Sequence, residues 1–494
     1  MRILLAAFAT VLAASATGCA PREEDPGDSA SLEGNWVGTA DAGAVQMRLR
    51  LVVADIDGVL HATVTSLTRW HWEIRATERL SLGLGAPVAS INGETISVPM
   101  SDWDASYTGT WSRKDGRIDG TFSQAGETFP IVLERSSEEA ETESRRPQTP
   151  REPFPYLAED VTFPNPEGGH TLAGTFTRPT SGGPFPAVIL IPGSGPYARL
   201  PGETGHRPLH VLADHLTRRG IAVLYYDKRG LGESTGDFRA ATTEDFASDA
   251  LAGVAYLKAR EDVDAGRIGL AGQSEGGLIA PMAAVRSSDV GYIVLLAGPG
   301  VNGERIQDAQ LELRGAANGV SEETIAEFRQ RQDAINEILK SEDDPARARE
   351  AIEAIIRTRL ERARGQARRM YGIRDEASLA RVVSEQVQGV NTPWRRFFLT
   401  YDPAPTLEQV TVPVLAINGT KDLFVPHEEN LREIEAALKR GGNTRYEIHA
   451  IPDLNHLFQH AKTGTLWESE TIDETFAPEV LDLIASWILR TVEG

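Results

Sequence analysis

Gly272-Gln273-Ser274-Glu275-Gly276 is the stretch whose reading decides the fold. Before it runs Arg267-Ile268-Gly269-Leu270-Ala271, short, apolar and strand-like. After it, Gly277–Val285 carries the small and apolar residues of a buried helix. A strand, a sharp turn and a helix around Gly-x-Ser-x-Gly present one serine hydroxyl above a sheet. The turn holds its central residue in a strained conformation, and the flanking glycines relieve clashes with the neighbouring strand and helix. Such short patterns also arise by chance, so the residues downstream decide the matter.

The downstream residues supply a base and an acid. Val412–Asn418 is an apolar strand followed by Gly419-Thr420-Lys421-Asp422. An aspartate just past the carboxyl end of a parallel strand stands where such sheets place their chemistry. Tyr446–Ile451 is a further strand, and His456 lies in the loop after it, able to reach back over Ser274. Asp422 could instead be a turn or cap residue, and Asp453 and Asp473 are rival acids in less suitable places. Among rival histidines, His449 falls inside the strand, His427 opens a helix after Val425-Pro426, and His460 lies beyond the loop.

With these residues in place, the chain from about Tyr156 onward resembles the α/β-hydrolase superfamily, in its bacterial esterase and acyl-peptidase-like branch. The segments carrying the resemblance are Ile189–Pro196, Tyr225–Ser234, Gly272–Gly276, Gly419–Asp422 and Leu454–Phe458, in the family's order of serine, acid and histidine. The resemblance implies a mostly parallel sheet with helices on both faces. It also implies an oxyanion hole made by the N–H groups of Ser194 and Glu275. Many relatives carry His-Gly in the first turn, where this chain has Pro192-Gly193. The backbone amide survives that change, while the surroundings of the turn must differ.

The chemistry follows from the residue types. A serine hydroxyl is a poor nucleophile until a base takes its proton. His456 would do so as a neutral imidazole, and Asp422 would hold the ring's tautomer and stabilise the imidazolium. Two amides would bind the oxyanion; losing one such donor typically costs roughly 10²–10³ in turnover. The resulting acyl-enzyme is then cleaved by water. No metal and no cofactor are expected: the single cysteine and scattered histidines offer no zinc-type cluster, and no phosphate-cradling Gly-x-x-x-x-Gly-Lys-Ser/Thr is present. Asp227–Ser234 reads chiefly as a tight loop with Asp227 and Arg229 paired, with Arg229 as a substrate or oxyanion-loop contact the alternative. Its glycines do not have dinucleotide-loop spacing.

The chain has 494 residues, enough for two or three domains, and a net charge of −21. That charge argues against nucleic acid as a partner and disfavours simple adsorption to anionic lipid. Residues 1–18 read as a signal peptide: Met1-Arg2 is positive and Ile3–Leu12 is apolar but too short to span a bilayer. Ala16-Thr17-Gly18-Cys19 is similar to a bacterial lipobox, with Ala16 where an aliphatic residue is usual. Cys19 is the one cysteine of the chain. Lipidation at Cys19 and an extracytoplasmic, membrane-anchored protein are expected, with an ordinary secretory peptide as the alternative. Residues 19–31 then form a polar, acidic tether.

Residues 32–135 read as an all-β accessory domain. Alternating segments such as Gln46–Val53 and Phe129–Leu133 are separated by Asp57-Gly58, Asn92-Gly93 and Asp115-Gly116 turns. An antiparallel meander or small open barrel fits. Trp36, Trp70, Trp72, Trp103 and Trp111 all lie here, read as core filling, with an aromatic ligand platform as the alternative and Trp70 and Trp72 as its best candidates. Residues 136–155, rich in Glu, Ser, Arg and Pro, read as a linker. Residues 156–494 form the catalytic domain. A helical insertion over about 302–405 is expected to act as a lid, with Trp394, Phe397 and Phe398 lining an acyl pocket. The reading is therefore an α/β protein cleaving small carboxylic esters through Ser274, Asp422 and His456. A peptidase of the same fold, with Glu203 or Glu233 as amine anchor, and a catalytically inert surface lipoprotein are the alternatives.

Overall fold

The computed structural model describes residues 32, 34–41, 46–56, 59–66, 90–92, 94–100, 105–124, 127–136, 146–199, 206–362, 371, 373–465, 468–469 and 472–493. Cys19, Trp70, Trp72, Trp103 and Glu203 lie outside them. The described residues divide after Ser136 into two compact units.

The first unit is an antiparallel sheet of eight strands: β1 (Gly34–Asp41), β2 (Gln46–Ile56), β3 (Val59–Ser66), β4 (Ser90–Asn92), β5 (Thr95–Met100), β6 (Ala105–Ser112), β7 (Arg117–Gln124) and β8 (Glu127–Ser136). Their order is β3-β2-β1-β8-β7-β6-β5-β4. One face is buried, as strand alternation requires: Leu49, Leu51 and Val53 of β2 meet Trp36, Tyr107, Trp111, Ile118 and Leu133 in one core. Trp36 and Trp111 are thus core residues, and the Trp36 indole N–H donates to Leu32 O at 3.0 Å.

The second unit holds a sheet in the order β16-β15-β14-β13-β11-β12-β10-β9. It opens with an antiparallel hairpin, β9 (Tyr156–Asn165) and β10 (His170–Pro179). Strands β11 (Phe185–Ile191), β12 (Ala222–Tyr226), β13 (Val263–Gln273), β14 (Tyr292–Leu296), β15 (Val414–Gly419) and β16 (Tyr446–Ile451) then run parallel. The central strands read as continuous apolar runs because both faces are covered. One apolar layer holds Ile189, Leu224, Leu270 and Leu295, the other Leu190, Val223, Ala271 and Val294. Helices α1 (Pro208–Arg218), α2 (Thr243–Lys258) and α3 (Gly276–Arg286) connect the early strands.

After β14 comes the helical insertion: α4 (Gly303–Ala317), α5 (Glu322–Ser341), α6 (Pro345–Arg362), α7 (Glu376–Val390) and α8 (Pro393–Thr400). Side-chain caps set these helix starts: Asn302 accepts from Arg305 N, Ser321 from Thr324 N, Asp375 from Ser378 N and Thr392 from Arg395 N. The insertion has its own core, with Ile335, Leu339, Ile352, Ile356, Leu360, Val383 and Val387 buried together. The chain continues through α9 (Ala404–Leu407), α10 (His427–Arg440) and α11 (Pro478–Glu493).

Part of the expected linker belongs to the second unit. Arg146 donates to Ile472 O at 3.1 Å, and the Gln148 amide bonds Phe476 O, Thr475 N and Phe476 N. These segments satisfy backbone groups that would otherwise lack partners. Composition could not show this, because the same polar side chains serve a tether and a surface strap alike.

Candidate active site

Ser274 sits between the end of β13 and the start of α3, at φ 52°, in the left-handed region that L side chains rarely adopt. Its amide donates to Leu296 O and its carbonyl accepts from Gly277 N, each at 2.8 Å. The turn is tight enough to demand glycine on both sides. A Cβ at Gly272 would lie 1.9 Å from Gly276 O, and one at Gly276 would lie 2.5 Å from Ile191 O. The motif therefore records a close approach of β11, β13 and α3. The Ser274 side chain is half-buried, and its hydroxyl makes no hydrogen bond among the described residues.

The acid and the histidine meet. His456 Nδ1 lies 2.7 Å from Asp422 Oδ2. Asp422 is buried, and its other oxygen accepts from Phe424 N at 2.7 Å and Val425 N at 2.9 Å. Those two bonds fix the orientation of the carboxylate. Across the ring, Phe424 stacks on His456 with centroids 5.0 Å apart. The His456 carbonyl faces the Gln273 amide at 3.5 Å, which ties its loop to the end of the serine strand. Below that loop lies a buried polar network. Asn455 Oδ1 accepts from Leu457 N and Gln459 N, while Gln459 reaches His206 and Glu474 O. Burial pushes the His206 imidazole down to about 4, so its ring is neutral there.

The rival residues are engaged elsewhere. Asp453 pairs with Lys421 at 2.9 Å, and Asp473 is exposed. His449 lies 3.3 Å from Glu447 on β16, and His460 sits between Glu474 and Glu479.

The expected oxyanion turn lies against the serine. A Cβ at Gly193 would stand 3.1 Å from Ser274 Cβ and 3.7 Å from its hydroxyl oxygen. The amides of Ser194 and Glu275 donate to nothing among the described residues. The Glu275 side chain is buried: Thr243 and the Trp394 indole donate to Oε1 at 2.8 Å and 2.5 Å, and Lys228 to Oε2 at 3.1 Å.

The Asp227–Arg229 pairing expected from sequence does not form. Arg229 is buried against Asp249 at 2.8 Å and also bonds Asp245 and Ser248. Asp227 instead accepts from Arg199 and from Glu233 N. Adjacent residues leaving a strand point to opposite faces, so the segment sends Arg229 to α2 and Lys228 to the oxyanion turn. Sequence reasoning missed Lys228; its position between two assigned residues was the one available signal.

The insertion touches both halves of the site. Trp394 of α8 bonds Glu275 and stacks on Phe398 at 5.0 Å, while Phe397 stacks on Tyr401 at 5.1 Å. Phe398 is buried against Gly303. From α4, Gln310 donates to Phe424 O at 3.0 Å, and the Arg314 guanidinium lies 4.5 Å from the Phe424 ring centre. Among the described residues no cluster of His, Cys, Asp and Glu could hold a metal.

This strand order, with a serine elbow after the fifth strand of the sheet and an acid and a histidine after the seventh and eighth, defines an α/β-hydrolase. Residues 168–450, more than half of the chain, match the family described as X-Pro dipeptidyl-peptidase (S15 family), and the chain belongs to that family. It is 28% identical over 324 residues to esterase EstD of Thermotoga maritima, covering 65% of this chain and 66% of that protein. It is 32% identical over 126 residues to the uncharacterized protein YfhR of Salmonella typhi, covering 25% of this chain and 40% of that one. The chain thus spans less than two thirds of the length of these curated relatives. Among solved structures it is similar to the Pyrococcus furiosus esterase Pf2001, at 17% identity over 68% of this chain and 93% of that one, with a TM-score of 0.39. It is also similar to proline iminopeptidase of Mycobacterium smegmatis, at 19% identity over 67% and 98%, with a TM-score of 0.41.

Proposed function

We infer that the protein is a serine carboxylesterase. The observation that carries this is the 2.7 Å contact of His456 with Asp422, in a loop tied to the strand that ends at Ser274. Ser274 Oγ attacks the ester carbonyl as His456 Nε2 takes its proton, and the oxyanion is held by the Ser194 and Glu275 N–H groups. Collapse expels the alcohol, which leaves with the proton from His456. Water, deprotonated by the same imidazole, then cleaves the acyl-enzyme to the acid and free Ser274. The missing Ser274–His456 bond is compatible with this, because such bonds often tighten only when substrate arrives.

The family's description favours a second reading, cleavage after proline. A peptidase must hold the substrate's free amine and protonate a poor leaving nitrogen. The carboxylate beside the nucleophile, Glu275, already has three partners, and Glu233 is engaged by Arg199. That supports the ester reading. The test compares specificity constants for short-chain nitrophenyl esters with those for aminoacyl-prolyl nitroanilides. Esters are expected to be cleaved rapidly and anilides slowly or not at all. An anilide constant equal to that of the best ester would promote the peptidase reading.

A further inference from the structure

One buried cation has no part in the chemistry above. Lys228 stands just after β12 and is 2% exposed. Its ammonium donates to Gly193 O at 2.7 Å and to Glu275 Oε2 at 3.1 Å, and its amide donates to Tyr197 O at 3.2 Å. Around it are the rings of Phe246, centred 4.5 Å away, and Phe238, at 5.8 Å. A buried ion pair is a weak source of stability, because desolvation offsets the attraction. The place of this one asks for another account.

Both of its partners belong to the segments that carry the two oxyanion donors. Gly193 O is in the same peptide unit as the Ser194 N–H. A trans peptide is planar, with oxygen and hydrogen on opposite sides. An ammonium that anchors the oxygen therefore aims the N–H away from itself. Glu275 owns the second donor, and its carboxylate is fixed by Lys228, Thr243 and Trp394 together. A charged donor on the Gly193 carbonyl also polarises that peptide and strengthens its N–H as a donor.

We propose that Lys228 is a positioning residue for the oxyanion hole, one ammonium clamping the Gly193–Ser194 peptide and the Glu275 side chain so that both N–H groups converge beside Ser274. This rests on the reading of Ser274 as the nucleophile. Lys228 touches no substrate; it acts through the two amides, at the moment when charge develops on the carbonyl oxygen. A loss of Lys228 should therefore appear in kcat and leave ground-state binding nearly alone.

The test uses Lys228→Met and the double variant Lys228→Met/Glu275→Leu. The single variant leaves a buried carboxylate without its cation and is expected to unfold more easily. The double variant removes both charges and fills the slot with apolar volume, so it carries the test if the single one fails to fold. Each is assayed on a short-chain ester and on the matching thionoester, with thermal melting as a check on folding. Sulfur is a weak hydrogen-bond acceptor, so a working oxyanion hole favours the oxygen ester and a slack one loses that preference. For the folded double variant the expected result is a kcat loss of about 10²–10³-fold with KM changed by less than about threefold. The oxygen-to-sulfur rate ratio should fall by about tenfold or more. A kcat within about threefold of the parent, or a large loss with the ratio unchanged, overturns the proposal and leaves Lys228 a structural residue. Ser274→Ala, assayed alongside, separates the two ideas: full activity there would refute the nucleophile and not the clamp alone.

Discussion

The two oxygens of Asp422 have different partners, and that division sets what a substitution there should do. Oδ1 accepts from Phe424 N and Val425 N, while Oδ2 faces His456 Nδ1. In Asp422→Asn the carbonyl oxygen can keep the two amides, which leaves the NH₂ group toward the ring. His456 Nδ1 must then accept, its proton moves to Nε2, and the ring can no longer take a proton from Ser274. The fold should survive while turnover drops by about 10⁴-fold. Ser274→Ala should cost about 10⁶-fold, since it removes the attacking atom. Melting curves and kcat for both variants check this, and an Asp422→Asn enzyme within about tenfold of the parent would remove Asp422 from the machinery. The residues of this prediction were legible in sequence because each follows a recognisable strand, at the turn where α/β sheets expose side chains. Lys228 was not legible. Its neighbours Asp227 and Arg229 look like a pair, and nothing in the run of letters says that the strand end turns them to separate partners.

Elements differ in how strongly they announce themselves. The central strands β11, β12, β14 and β15 and the second half of β13 are apolar runs and could be read directly. The β9–β10 hairpin was missed, because β9 buries little beyond Tyr156, Phe163 and Asn165 and alternates with exposed polar residues. The insertion was legible as helices through its charged faces and proline-marked starts, whereas its private core and its grip on the site required coordinates. Helix α8 reaches the residue after the nucleophile. Its Trp394 spans from Phe398 to Glu275, joining the insertion to the residue after the nucleophile. If this aromatic group forms the wall of the acyl site, its removal should weaken binding in proportion to the apolar area lost. Trp394→Ala is expected to raise KM for a long-chain ester by about tenfold and for an acetyl ester by less than about threefold. Steady-state kinetics on a chain-length series measures this directly. Equal effects across the series would mean that the wall lies elsewhere and that Trp394 serves only to brace Glu275.

At the scale of the whole molecule the question is whether the leading segment holds the protein at a membrane. The net charge of −21 repels anionic lipid surfaces. Among the described residues no helix is long and apolar enough to cross a membrane. We place a proposed membrane attachment at the leading segment, where Cys19 follows a short apolar run and precedes an acidic stretch. Each buried methylene of an attached acyl chain adds about 0.8 kcal/mol, so one chain anchors marginally and two anchor stably. We propose extracytoplasmic anchoring through a lipidated Cys19. In a bacterial host, Cys19→Ser should shift the protein from the membrane fraction to the soluble one. Ester hydrolysis per molecule should stay unchanged, because Ser274, Asp422 and His456 all lie far along the chain in the second unit. Fractionation followed by nitrophenyl ester assay reads both quantities at once. An unchanged membrane fraction in Cys19→Ser would show that the attachment does not depend on that thiol, and would leave the two units to be searched for another contact with the bilayer.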